Sequence, residues 1–221
     1  KTMNIDQIKK EFPIFDNKVQ NNDLVYLDSA NSAQKPRVVV DRIYDFYTKE
    51  FSNVGRSVHY LAVAATNLYE TTRSSVQKYI NAKDKNEIVF TKGATEAINL
   101  VANTFGQKYL SEGDEVLLTE LEHHSNYVPW HFLRKSKNIK IEFAEINEHG
   151  EITLDSIEKK ITSKTKIVSI THLSNVTGAI LPVKEIVKLA HSKNIPVLID
   201  GCQSAPHLKI DMQDLDCDFY A

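Results

Sequence analysis

From about Asn86 onward, the spacing of hydrophobic and polar positions switches repeatedly between two periods. Residues 87–91 (EIVFT), 115–120 (EVLLTE), 139–146 (IKIEFAEI), 166–172 (KIVSITH) and 196–200 (PVLID) are short apolar or alternating runs that predict strands. After residue 91, apolar side chains recur at Ala94, Ala97, Ile98, Val101, Ala102 and Phe105, which is helical spacing. Further helices are predicted within NYVPWHFLRKSK and over 154–161 and 183–193. Repeated βα units predict an α/β fold, a mostly parallel sheet with helices on both faces.

The first 85 residues follow another pattern. Residues 24–30 (LVYLDSA) predict a short strand, and 36–51 and 64–80 predict amphipathic helices joined by the loop SNVGRSVHYL. Residues 1–85 are therefore expected to form an arm and helices packed on a large domain, and 86–221 an α/β large domain that is itself incomplete.

Composition narrows the classes of function. The net charge is −2, so no overall basic field recruits nucleic acid or an acidic membrane. No apolar run nears the roughly 18 residues of a spanning helix, and KTMNIDQIKKEF lacks the apolar core of a secretory signal. Two cysteines, Cys202 and Cys217, make no disulfide framework, and reduced thiols in the cytoplasm are expected.

Ligands of open parallel sheets bind beyond the carboxyl ends of the strands. Each predicted strand end delivers polar residues: Gly93 and Thr95, then His123 and His124, then Asn175, then Asp200 and Gln203. Gly93-Ala94-Thr95 at a helix start suits a phosphate, or is an ordinary first turn. A histidine past a strand can stack on an aromatic ring, or sit hydrogen-bonded at the surface. Asp200-Gly201 can hold a protonated ring nitrogen, or simply turn the chain. His123, His124, His172 and Asp200 fit no tight metal-ligand spacing, so no metal is expected. Phosphate, ring and ring nitrogen together are the handles of pyridoxal 5′-phosphate.

Six segments carry a resemblance: YLDSANSAQKP (26–36), TKGATEAINLVA (91–102), ELEHHSNYVPW (120–130), THLSNVTG (171–178), VLIDGCQSAPH (197–207) and LDCDFYA (215–221). In this order they resemble the Suf-type cysteine desulfurases, class V enzymes of fold type I that use pyridoxal phosphate. The resemblance implies a homodimer that takes sulfur from L-cysteine as an enzyme persulfide, leaves L-alanine, and supplies iron–sulfur cluster assembly through a sulfur-acceptor protein of the Suf system. It further implies that Thr95 and the Ala94 backbone cradle the phosphate, and that His123 stacks on the ring and moves protons. Asn175 and Gln203 would lie near the phenolic oxygen, and Asp200 would pair with the ring nitrogen. Arg56 and His59 match the loop near substrate and dimer partner, where Gly55 replaces a frequent histidine. Asn31 stands where a small apolar residue is usual. Cys202 and Cys217 do not match the nucleophile and are expected to be small buried hydrophobes.

The chain ends before the family's Ser-Gly-His-Lys motif, so the Schiff-base lysine, the persulfide cysteine and the small C-terminal domain are expected to be absent from it. On that reading it would hold the cofactor only non-covalently, release no sulfur alone, and expose apolar surface and an open sheet edge. The alternatives are a non-catalytic fragment that binds cofactor or partner, and another class V enzyme such as a selenocysteine lyase or a transaminase.

Overall fold

Asn4 caps the first helix: its side-chain oxygen accepts the N–H groups of Asp6 and Gln7 at the start of α1 (Ile5–Lys10). The computed structural model describes residues 4–221. Residues 1–3, at the head of the stretch read as lacking a secretory signal, lie outside the described residues. The chain forms two compact units, one ending at Ser75 and the other spanning Val76–Ala221.

In the first unit α1 is followed by a minimal hairpin of β1 (Lys18–Val19) and β2 (Asn22–Asp23). Gln20 and Asn21 both take positive φ (51° and 67°), which makes the two-residue loop a left-handed turn matched to strand twist. The sequence pattern did not reveal this hairpin. The strand expected over 24–30 does not form; Val25 and Leu27 stand exposed with no neighbouring strand to pair with. Helix α2 (Arg37–Asp45) runs into a π-turn over Phe46–Glu50, and α3 (Tyr60–Tyr79) starts four residues earlier than expected. In α3, Ala62 and Ala65 are buried, while Val58 and Tyr60 at its start are open to solvent.

The second unit contains a five-stranded sheet. Helix α4 (Ala94–Val101) continues through a π-turn into α5 (Gln107–Tyr109). Then follow β3 (Glu115–Thr119), α6 (His124–Lys137), β4 (Lys140–Ala144), α7 (Leu154–Lys160), β5 (Thr165–Thr171), α8 (Val183–Ser192), β6 (Val197–Asp200), α9 (Ser204–His207), α10 (Met212–Leu215) and β7 (Phe219–Tyr220). The strands lie in the order β4-β3-β5-β6-β7, and every pairing is parallel.

That order carries a reversal. The chain steps from β3 outward to β4, then returns past β3 to β5 and proceeds the other way. Right-handed crossovers in opposite directions place their helices on opposite faces. One face packs α4 and α6 (Ile98, Trp130, Leu133) on Val116, Leu118, Ile167 and Leu198. The other packs α7 and α8 (Ile157, Ile186, Val187) on Leu117, Val168, Ile170, Val197 and Ile199. Each strand thus alternates its side chains between two apolar cores, which is why β3 and β6 are buried throughout. In α8 the buried residues Val183, Ile186, Val187 and Ala190 repeat at the spacing of one helix face.

Residues 87–91 are not a strand. Lys85–Glu87 form a single 3₁₀ turn, closed by reciprocal bonds between Asp84 and Glu87, and the residues after it run extended and unpaired. A groove of about 820 Å³, lined by Ile88, Val89, Leu198, Phe219 and Ala221 among others, lies between this segment and β7. A strand exists only beside a ladder partner about 4.8 Å away, and here the groove occupies that place. β7 pairs with β6 alone, so its outer edge is open.

Gly201 follows β6 where the ring of Tyr220 presses on the backbone; a Cβ built there meets the ring at 2.1 Å. Its N–H donates to the Ala221 carbonyl at 2.7 Å, which ties β6 to the residue after β7. Gly201→Ala should destabilise the chain by about 1–3 kcal/mol through overpacking, read as a lower urea midpoint at unchanged slope. A midpoint equal to that of the parent chain would show that the ring moves aside freely.

Candidate functional site

The reversal between β3 and β5 opens a crevice at the carboxyl ends of the strands. Its first element is the start of α4. Gly93 precedes the helix at φ 153°, ψ 177°, a backbone state that only glycine adopts readily. The N–H groups of Ala94 and Thr95 make no hydrogen bond among the described residues, as expected of a first turn. They leave donors and the positive end of the helix dipole at the crevice.

From this turn a hydrogen-bond relay crosses to α6. The Thr95 hydroxyl lies 2.7 Å from Ser125 Oγ, which lies 3.0 Å from His123 Nδ1. His123 is the N-cap of α6 and its Nδ1 also accepts the Ser125 N–H at 3.1 Å. A ring nitrogen that accepts an amide proton is unprotonated in the neutral ring, so the proton of His123 lies on Nε2. The ring itself is exposed, as is that of His124 beside it.

Asp200 closes β6 and is only 5% exposed. One carboxylate oxygen accepts the Cys202 N–H at 3.0 Å; no hydrogen bond among the described residues engages the other. Burial raises its pKa above the usual aspartate range, while the Cys202 N–H and, when it is protonated, the nearby His123 pull it back. Thr171 of β5 lies directly opposite, and His172 N–H donates to the Asp200 carbonyl at 2.9 Å. Beneath them Tyr220 donates to or accepts from Ser204 Oγ at 2.7 Å, and burial pushes its phenol up to about 12.

Glu122 lies in the turn between β3 and α6, directly before His123, and no reading of the sequence singled it out. Its Oε1 accepts from the Thr119 hydroxyl at 2.6 Å and the Thr171 N–H at 2.9 Å, and its Oε2 accepts from Asn126 Nδ2 at 2.7 Å. The residue as a whole keeps some solvent contact, but these donors enclose the carboxyl. Burial, opposed by these hydrogen bonds and reinforced by the charge of Asp200, raises its pKa to about 7. Ser125 was missed as well. For Glu122 the available signal was the one that marked Asp200, an acid just past a buried strand.

The other expected residues are placed as follows. Gln203 is half-buried, three residues past Asp200, as N-cap of the short α9. Asn175 is exposed in a turn beyond β5, where Ser174 Oγ accepts the N–H groups of Val176 and Thr177; among the described residues its side chain makes no hydrogen bond to Asp200 or His123. Arg56 and His59 belong to the first unit. Arg56 takes φ 42° next to Gly55, and His59 Nδ1 accepts the Ala62 N–H at 3.4 Å. The geometry therefore links Thr95 to His123 through Ser125, and Asp200 stands at the end of β6 near enough to His123 for their charges to interact. Cys202 departs from expectation: it is exposed, because the chain turns outward after Gly201. Its thiol is raised by burial of the sulfur and by Asp200, and Cys217, packed on the α7/α8 core, is pushed to about 12. Neither is an activated nucleophile. Among the described residues no three His, Cys, Asp or Glu side chains gather to hold a metal, and no helix is long and apolar enough to cross a membrane.

Comparison with known proteins gives a consistent match. Residues 25–221 match the family model described as aminotransferase class-V. A probable cysteine desulfurase of Halalkalibacterium halodurans is 48% identical over 99% of this chain, which spans 54% of that relative. The chain thus spans about half the length, or less, of the curated relatives it matches. The apo structure of a cysteine desulfurase from Thermococcus onnurineus NA1 superposes over the whole chain and 53% of its own, with a TM-score of 0.90 and 34% identity. A structure described as SspA in complex with cysteine covers 89% of this chain and 56% of its own, with a TM-score of 0.82 and 27% identity. The parallel sheet is thus the large-domain fold of cysteine desulfurase structures.

Because burial raises the Asp200 pKa, its folding contribution is fully present below the ordinary aspartate pKa and is lost as pH rises through the folded value. Asp200→Asn, which mimics the protonated form, should raise the urea midpoint of the ligand-free chain at pH 8. The difference should shrink as pH falls toward 4. A variant less stable than the parent at pH 8 would assign Asp200 to folding and not to the site.

Proposed function

The chain belongs to the class V aminotransferase family, and we propose that it forms the cofactor-binding part of a pyridoxal-phosphate-dependent cysteine desulfurase. The observation that carries this reading is the buried Asp200 carboxylate at the end of β6, with an exposed imidazole near it; among the described residues one of its oxygens is unengaged and the Ala94 and Thr95 N–H groups at the start of α4 make no bond. These are an anion for a ring nitrogen, a flat face for a ring and a cradle for a phosphate.

The residues present fit the cofactor. When bound, its protonated pyridine supplies an electron sink for chemistry at the substrate α-carbon. The Ala94 and Thr95 N–H groups and the Thr95 hydroxyl bind the phosphate, with the helix dipole favouring its charge. Asp200 holds the proton at the ring nitrogen, and its burial strengthens that charge pair relative to one in water. His123 lies against the ring, oriented by Ser125, and presents Nε2–H as the atom through which a proton moves. Asn175 and Gln203 serve the phenolic oxygen. Arg56 and His59 serve the loop at substrate and dimer partner.

The substrate is L-cysteine. Its sulfur leaves as an enzyme-bound persulfide with formation of L-alanine, and passes to an acceptor protein of the Suf system for iron–sulfur cluster assembly. A cysteine-bound structural neighbour and the cysteine desulfurase names of the relatives support this substrate. The protein works as a cytoplasmic homodimer, consistent with two free cysteines.

In the intact protein, Asp200→Asn should lower alanine formation from L-cysteine on the order of 10²–10³-fold with an unchanged circular dichroism spectrum, because the amide carries no charge for the ring nitrogen. Near-parent turnover in this variant would overturn the role of Asp200. Faster turnover of selenocysteine, or amino-group transfer to a keto acid in place of sulfur release, would reassign the substrate within the family.

A further inference from the structure

Glu122 is surrounded by fixed hydrogen-bond donors. Asn126 cannot flip, because its Oδ1 already accepts from Ser169 Oγ at 2.5 Å and from Trp130 Nε1 at 3.4 Å. Its amide group must therefore point at Glu122 Oε2. The Thr171 N–H is likewise an obligate donor to Oε1. Both oxygens thus face groups that only donate, and a glutamine at this position would set an amide N–H against one of them. The remaining contact is to the Thr119 hydroxyl, whose hydrogen rotates. That is the one side on which a carboxyl proton meets an acceptor and not a second donor.

The groups facing Glu122 come from every element around it. Thr119 belongs to β3, Asn126 to α6, and Thr171 to β5; all are uncharged. Among the described residues the charge that acts on it is Asp200 at the end of β6. His123, the next residue in the chain, acts in turn on Asp200. Thr171, whose N–H bonds Glu122 Oε1, is the ladder partner of Asp200, so the two carboxyls belong to the ends of adjacent strands, and among the described residues no lysine or arginine bonds to either.

We propose that Glu122 is a positioning residue for this crevice: its carboxyl pins the turn that carries His123 to β5, and it shares a single negative charge with Asp200. With the proton on Glu122, Asp200 is the crevice anion. The role in cofactor binding rests on the ring-site reading above; the coupling of the two carboxyls does not. A pair of acids pushed apart in this way divides two tasks between one held proton and one held charge.

The test is carboxyl ¹³C NMR of the 221-residue chain labelled at aspartate and glutamate, titrated with pH. Glu122 Cδ should titrate near pH 7, and the Asp200 Cγ curve should show a second inflection at the same pH. Glu122→Gln should remove that inflection and leave the main Asp200 midpoint in place, because Glu122 is already neutral where Asp200 titrates. Asp200→Asn should lower the Glu122 midpoint, since it removes the charge against which Glu122 ionises. A purely structural Glu122 would give neither the second inflection nor that shift. The proposal is overturned if Glu122 titrates with the ordinary carboxylates, or if the Asp200 curve is single and Asp200→Asn leaves the Glu122 midpoint unmoved. Should Glu122→Gln fail to fold, the parent titration and Asp200→Asn decide. Pyridoxal phosphate titrated into the same samples separates the two readings: absent cofactor binding with intact coupling sinks the ring site alone, and intact binding without coupling sinks this inference alone.

Discussion

β3 is buried on both faces, so the chain that leaves it for β4 has to pass it again to reach β5. The helices of those two crossovers are thereby forced onto opposite faces, and the strand ends between them are covered by neither. Thr119, Glu122, Thr171 and Asp200 all depend on this gap. Thr119 and Glu122 follow β3, Thr171 ends β5, and Asp200 ends β6 one strand farther on. The hydrogen bond from Thr171 N–H to Glu122 Oε1 spans the gap itself. The backbone donor left over at the end of one strand is satisfied by the side chain that follows its neighbour.

The same gap sets the electrostatics. Asp200 continues the side of β6 that carries Leu198 toward α4 and α6, so its carboxyl is held against an apolar layer and its charge is costly. Glu122 is enclosed close by, and each charge raises the cost of the other. A chain selected only for stability would place amides or apolar groups here. Retaining two acids at one strand edge stores a cost that a cationic ring nitrogen would offset on binding, which is the usual relation between a binding site and the fold that carries it. Tyr220, hydrogen-bonded to Ser204 and pushed to about 12, supplies neutral support beneath them.

Much of this was legible in the sequence because parallel strands and amphipathic helices announce themselves by period. β3, β5, β6 and α8 fall within a residue or two of the pattern, and Asp200 stood out as an acid where a buried strand ends. What failed had one cause: the outcome depended on a partner far along the chain. Residues 87–91 have strand composition, but strand formation needs a neighbour, and β7 lies across a groove. The hairpin at Gln20 and Asn21 turns on two positive φ values in residues that are not the usual Asn-Gly pair. Glu122 and Ser125 sat inside a recognised motif, yet their roles come from Thr171, Asn126 and Thr95, at distances in sequence that no local pattern encodes. Cys202, which does not match the family's nucleophile, was expected to be a small buried hydrophobe, and the outward turn after Gly201 placed it at the surface.

Helix α6 joins the core to the site. Its first turn is capped by His123, whose ring nitrogen takes the Ser125 N–H, so the ring orientation and the helix start are one structure. One turn later Asn126 links Glu122 to Ser169 and to the indole of Trp130, which is wholly buried against the sheet. A rotation of α6 on the sheet would therefore move His123, loosen the Thr95–Ser125 contact and unseat the Glu122 carboxyl together. Packing density at Trp130 and Leu133 thus fixes the position of a polar group at the crevice more firmly than any contact in the exposed first turn could, since an interior side chain has nowhere to relax. The precision of the site is set by the apolar layer beneath it, and the polar residues at the rim inherit it.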